Sequence, residues 1–234
     1  MNINDSKIKV KKAFPFPGFV DDSFNGAVDN IAKTIQKYLE RGSKILDLGC
    51  GSGMHASCFT SLGYDVTGLD NIEKIHFDDF KYVNCDISKN KIPFNNDTFD
   101  VIFCKSVIEH ILYPEEFLNN CMDVLKPGGK ILVVSFHSIE DKIVKYFFRS
   151  LSENKSVSRY QPKLIQSEPL FLMEHKKPII PSKQELNQNI SSRSAKLRFV
   201  IKKRSFHNFD TDIFEKFKFL IDIENISNKL WKNF

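Results

Sequence analysis

Apolar residues recur along this chain at two alternating periods. From 24 to 39, Phe24, Val28, Ile31, Ile35 and Tyr38 fall at helical spacing, which predicts one buried stripe. Asp21, Asp22 or Ser23 caps its start and Gly42 ends it. Five short apolar runs follow, at 44–48, 64–70, 82–86, 99–104 and 130–136, each with the β-branched or aromatic weighting of a buried strand. Helices are predicted between most of them. One covers 54–62 and closes at Gly63; another covers 114–125, with Phe117, Leu118, Cys121 and Leu125 on one face and Pro127-Gly128-Gly129 beyond its end. Strands alternating with helices imply a parallel sheet covered on both faces.

The second half adds a helix over 139–151, through Ile139, Ile143, Phe147 and Leu151, with Ser138 and Asp141 spaced as a capping box. Residues 152–168 are loop-like. Short strands at 170–173 and 197–201, with a helix at 183–189 between them, complete seven strands. Residues 210–226 are again amphipathic. Before the first helix, Phe14-Pro15-Phe16-Pro17-Gly18-Phe19 is an extended arm, because each proline biases its predecessor away from helix. The expected organisation is an arm and helix over 1–40, a main domain over 41–204 and a helical tail over 205–234.

With 234 residues, 41% of them hydrophobic, the chain can bury one sizeable core. It contains no run of about 18 apolar residues and no apolar centre of a signal peptide, which places it in the cytoplasm as an expectation. Five cysteines without close pairs suggest reduced thiols and no metal site. The net charge of +5 is unevenly spread. Between His175 and Arg204 lie Lys176, Lys177, Lys183, Arg193, Lys196, Arg198, Lys202, Lys203 and Arg204, with Glu185 the single acid, so an anionic partner suits that stretch.

The most informative motif is Asp47-Leu48-Gly49-Cys50-Gly51-Ser52-Gly53, with glycines at alternate positions where a strand turns into a helix. A dinucleotide fingerprint leaves two residues between its second and third glycines, whereas here there is one. Asp70 follows at the end of the second strand, about 20 residues on, where a carboxylate meets ribose hydroxyls. Asp86, with Ile87 beside it, is placed for an adenine edge, and Asp47 for an amino group.

With Asp97-Thr98-Phe99-Asp100-Val101-Ile102, Val107-Ile108-Glu109-His110 and Leu125-Lys126-Pro127-Gly128-Gly129, these motifs resemble the class I methyltransferases, in particular the group that includes quinone-biosynthesis and sugar-modifying enzymes, over about 41–129. The resemblance implies a Rossmann-like α/β fold with a mostly parallel seven-stranded sheet and helices on both faces. It also implies S-adenosylmethionine as cofactor, held by Asp47, Gly49, Cys50, Gly51, Gly53, Asp70, Asp86 and Ile87. Glu109 and His110, after the fourth strand, are candidates to orient or deprotonate a small-molecule or sugar-like acceptor.

A second resemblance begins near Lys126. The run from Pro127 to Lys145, including Ser135-Phe136-His137-Ser138, then Lys177-Pro178-Ile179-Ile180-Pro181-Ser182 and Ser192-Arg193-Ser194-Ala195-Lys196-Leu197-Arg198, is similar to the enzyme that methylates the exocyclic amine of a cytosine in bacterial small-subunit ribosomal RNA. It implies His137 at the acceptor and Arg193, Lys196 and Arg198 on RNA or substrate. The helical insertion which that family carries before its fifth strand is missing, as is an Asp-Pro-Pro-Tyr or Asn-Pro-Pro-Tyr type of motif after the fourth, where Lys105-Ser106-Val107-Ile108 stands. The two resemblances meet near 125–135. A chain that joins halves of two genes there, or one that only binds cofactor without catalysis, is a further alternative.

Overall fold

The computed structural model describes residues 35–152, 169–205 and 215–217. The arm, most of the first predicted helix and most of the tail lie outside the described residues.

Seven strands form one sheet in the order β3-β2-β1-β4-β5-β7-β6: β1 (Lys44–Leu48), β2 (Asp65–Asp70), β3 (Lys81–Asn84), β4 (Phe99–Lys105), β5 (Leu125–Ser135), β6 (Phe171–Leu172) and β7 (Lys196–Lys202). β1 to β5 are parallel, and β7 inserts antiparallel between β5 and β6. The expected Rossmann-like α/β fold with a mostly parallel seven-stranded sheet is therefore the one present. Chain direction across the sheet reverses between β1 and β4, the place where open α/β sheets leave a crevice at their carboxyl edge.

Alternation along the strands divides the interior into two layers. Leu46, Leu48, Ile102, Cys104, Ile131 and Val133 face α2 (Pro114–Val124) and α3 (Ser138–Ser152). Ile45, Val101, Phe103, Leu132 and Val134 face α1 (Met54–Ser61), with Ile35 from the end of the first helix. Both faces are covered, as the alternation of strands with helices predicts.

Three expectations change. No helix stands between β2 and β3 or between β3 and β4; there Phe77 and Phe80 plug one face and Ile92 and Phe94 the other. β5 starts at Leu125 rather than after the glycines, because Leu125 pairs with Phe99, and the register then shifts so that Lys130 meets Val101. The capping box of α3 sits one residue earlier than expected. Glu140 Oε2 accepts from the Phe136 and His137 amides at 3.2 and 3.4 Å, and His137 Nδ1 accepts from the Ile139 amide at 3.3 Å. Asp141 turns to the interior instead. A short α4 (Lys183–Gln188), opened by Ser182 Oγ, leads towards β7.

Candidate functional site

At the carboxyl end of β1 the chain turns tightly back onto β2, with the Gly49 and Cys50 amides both donating to Leu69 O at 2.8 and 3.2 Å. Gly49 adopts φ +72°, and a Cβ there would lie 2.3 Å from Val107 Cγ2, so the loop after β4 rests directly on this glycine. Gly53, at φ +88°, is closed off by Phe80, 2.5 Å from where a Cβ would stand. Space around Gly51 is open: a Cβ would meet nothing within 4 Å. The turn is thus locked at both ends and clear in the middle, where a ligand backbone contact needs room.

Asp70 lies beside that opening. Its Oδ2 accepts from the Gly51 amide at 2.7 Å and its Oδ1 from the Asn71 amide at 2.7 Å, which fixes the carboxylate and leaves a lone pair on each oxygen. Cys50 is buried against β2. Asp86 is held differently: β3 ends at Asn84, and the Asp86 carboxylate accepts from Ser88 Oγ and N and pairs with Lys89 at 2.9 Å. The Ser88 and Lys89 bonds hold its pKa down to about 2. Ile87 is half-buried against the core. Asp86 therefore caps its own turn, and any adenine contact must use what these bonds leave over.

Asp47 is 2% exposed, and its Oδ2 has no hydrogen-bond partner. Burial raises its pKa from 3.8 to about 7, against the pull of the Lys105 charge and the Ala56 amide. An orphaned carboxylate oxygen beside the glycine turn is what a ligand bearing an ammonium group would complete. With the opening at Gly51 and the fixed Asp70, these residues fit the cofactor that the sequence resemblance implies: Asp70 would hold its ribose end and Asp47 its amino group.

After β4, Glu109 and His110 are exposed on a 3-10 turn, Ile108–His110, anchored by buried Ile108. The turn follows Ser106, whose φ of +55° is rare for a residue with a side chain. His137, at the mouth after β5, is exposed and caps α3.

The basic stretch divides. Arg193 is exposed, whereas Arg198 is 9% exposed and commits Nε and Nη2 to Asp141 at 2.6 and 3.2 Å, and Nη1 to Lys176 O. Lys196 joins the same carboxylate at 3.4 Å. Burial works to raise the Asp141 pKa, but the Arg198 bond and charge, with those of Lys196, outweigh it and hold it down. The expectation of Arg198 on RNA is thereby corrected: its donor fork is filled inside the protein, and Lys196 shares that internal pair. Two further groups escaped the sequence reading, His55 in α1 and Lys105 at the end of β4. The signal available for Lys105 was a cation closing the apolar run Val101 to Cys104.

No cluster of metal-ligating side chains occurs among the described residues. None of the described helices is long and apolar enough to cross a membrane.

Comparison with known proteins divides the chain where the motifs do. Residues 46–133 match the model of a family described as methyltransferase domain, and residues 107–204 match that of the MraW methylase family, the two overlapping over 107–133. Among curated proteins, the chain is 51% identical over 75 residues to ribosomal RNA small subunit methyltransferase H of Rhodopseudomonas palustris, covering 32% of this chain and 23% of that protein. It is 39% identical over 115 residues to the protein of the same name from Rickettsia prowazekii, covering 47% and 37%. The chain thus spans between about a quarter and somewhat over a third of the length of these relatives. Among solved structures, its fold is similar to an S-adenosylmethionine dependent methyltransferase from Mesorhizobium loti (TM-score 0.51, 16% identity, 75% of this chain and all of that one). It is also similar to the Burkholderia thailandensis 1,6-didemethyltoxoflavin-N1-methyltransferase (TM-score 0.53, 15% identity, 75% and 78%).

The fold is of the Rossmann-like α/β type, and the family matches fall in two overlapping segments of it. The segment similar to the methyltransferase-domain family holds the glycine turn and its acids, the one similar to the MraW methylase family holds β6 and β7, and most of β5 lies in both.

Proposed function

We propose that the chain is an S-adenosylmethionine-dependent methyltransferase that acts on a small-molecule or sugar-like acceptor at the mouth between the 107–111 loop and Phe136-His137. The observation carrying this reading is the locked glycine turn with Asp70 fixed on the Gly51 amide and Asp47 Oδ2 left without a partner. When bound, the cofactor supplies a methyl group already activated by its sulfonium. What the protein adds is alignment and exclusion of water. Glu109 and His110 stand where they can orient an acceptor or take its proton, and His137 borders the same mouth.

Incubating the full chain with methyl-labelled cofactor and fractionated cell extract tests the reading; label should enter a small-molecule fraction. Asp70→Ala should weaken cofactor binding about 100-fold or more, as expected for losing two charge-assisted contacts. Normal affinity in that variant would remove Asp70 from the site.

A second reading, methyl transfer to ribosomal RNA, is supported by the curated relatives and by exposed Lys183 and Arg193. Both lie within the excursion that leaves the Ile179–Leu197 bridge and returns at Lys196, opposite Ser135 on the carboxyl edge. Against it, Arg198 and Lys202 are buried, and Lys196, half-exposed, pairs with Asp141. For RNA held by a few such cations, log affinity should fall with log salt at a slope of about −0.7 to −0.9 per phosphate contact. Binding that is undetectable at low salt would eliminate this acceptor.

A further inference from the structure

Strand alternation places Asp47 on the same sheet face as Ile45, and Lys105 on that of Val101 and Phe103. In the pairing of β1 with β4, Asp47 is opposite Phe103, so the acid and the cation emerge as near neighbours at the carboxyl edge. α1 covers this face, and its His55 ring lies 5.5 Å from that of Phe103. Three polar side chains thus converge in one wedge beneath the glycine turn.

Their needs are not met within the protein. Asp47 Oδ2 and His55 Nε2 are both buried without a hydrogen-bond partner. Lys105 lies over the Phe136 ring at 5.2 Å, and among the described residues its ammonium makes no hydrogen bond or close ion pair. Its charge nevertheless reaches both other groups, lowering the pKa of Asp47 and of His55. Buried polar atoms are almost always satisfied, so two orphans and an uncommitted cation in one wedge call for a ligand. A purely cationic ligand would answer Asp47 but crowd Lys105. A purely anionic one would do the reverse. A group carrying an ammonium and a carboxylate on one carbon answers all three: its ammonium meets Asp47, and its carboxylate meets Lys105 and, in the tautomer with a proton on Nε2, His55.

We propose that Lys105, with His55, forms an anion anchor that receives the carboxylate of the ligand's α-amino acid end, across from Asp47. The assignment rests on the cofactor reading above and adds two residues to it, from a strand end and a helix that the glycine motif does not include. It gives Lys105 a role in binding: the cation that partly neutralises Asp47 in the free protein turns to the carboxylate when an ammonium takes its place.

The test compares three adenosine thioethers on the full chain by calorimetry. S-adenosylhomocysteine carries both charges, its decarboxylated analogue lacks the carboxylate, and 5′-methylthioadenosine lacks the whole amino acid. Wild type should prefer S-adenosylhomocysteine over the decarboxylated analogue by about 10-fold to 100-fold, the range for a charge-assisted contact. Lys105→Met should erase that preference and leave 5′-methylthioadenosine affinity within about twofold, since only the charged contact is lost. Lys105→Arg should restore part of it, and Lys105→Gln serves if the methionine variant does not fold. Full preference retained in Lys105→Met overturns the proposal, as does an equal loss of 5′-methylthioadenosine, which marks a structural role. Failure of wild type to bind any of the three ends the cofactor reading, and the anchor with it. Binding of 5′-methylthioadenosine without discrimination ends the anchor alone.

Discussion

Lys202→Met is expected to destabilise the protein by about 3–5 kcal/mol, the cost of breaking a buried pair by removing one partner. Lys202 is completely buried on β7, yet its ammonium donates to Met122 O at 2.7 Å, to Leu125 O and to Asp97 Oδ1 at 3.0 Å. The two carbonyls lie at the carboxyl end of α2, where backbone oxygens lack partners along the helix and a cation is favoured. Methionine keeps most of the volume but leaves both carbonyls unsatisfied. Asp97, 36% exposed and also bonded by Ser205 Oγ, loses less, so Asp97→Asn should cost about 1 kcal/mol, as for a half-solvated pair. The double variant should cost less than the sum, because both changes break one contact. Urea titrations measure all three; a loss under about 1 kcal/mol for Lys202→Met would show that water replaces the ammonium.

This lysine also bears on the two resemblances. Lys202 lies in the MraW methylase segment, while Asp97 precedes it in the methyltransferase-domain segment. Their contact, like that of β5 with both β4 and β7, crosses the join. The two segments share one sheet and one core.

Strands were readable because apolar and β-branched runs leave a dense local signal, and all seven overlap a run so read, although β3 and β6 are only partly buried. Their ends were less so: the third strand stops at Asn84, and the fifth absorbs Pro127-Gly128-Gly129 through a register shift that no local pattern announces. Helices were expected in most of the connections, whereas around β3 single aromatic and aliphatic plugs suffice. The largest misreading concerned charge. Lys196, Arg198 and Lys202 share one face of β7 and read as a solvated, phosphate-seeking stripe. Their partners, Asp141 and Asp97, are 55 and 105 residues away in the chain, a separation at which sign is visible but pairing is not. In the site, the glycine turn was legible because its spacing is local. Lys105 and His55 were not, because only pairing of β1 with β4 and packing of α1 brings them to Asp47.

Asp47→Asn should stabilise the ligand-free protein at pH 8 by about 2 kcal/mol while weakening its hold on S-adenosylhomocysteine. Burial raises the Asp47 pKa from 3.8 to about 7, so the folded state holds a proton that the unfolded chain releases near pH 4. Its favourable contribution is complete below pH 3.8 and disappears as pH rises through about 7. At 1.36 kcal/mol per pH unit, that loss is on the order of 4 kcal/mol, part of which asparagine returns through its own unpaired amide. His55 has the opposite sign. Burial lowers its pKa from 6.5 to about 3, so its contribution is complete above pH 6.5 and is lost as pH falls towards 3. Between pH 4 and 6.5 the unfolded chain carries one proton on His55 and the folded protein one on Asp47, so these two groups together impose no slope. Wild type should show a plateau there, bounded by a fall on either side. Asp47→Asn removes one half of the exchange, and its stability should decline steadily as pH drops below 6.5. Lys105, Asp70, Cys50 and Cys104 surround the pair electrostatically and shift where the plateau ends, but not the sign of either arm. Denaturation midpoints across pH 4 to 8 for both proteins decide the matter: parallel profiles would mean that Asp47 is ionised in the fold throughout, and that the wedge already contains its counter-charge.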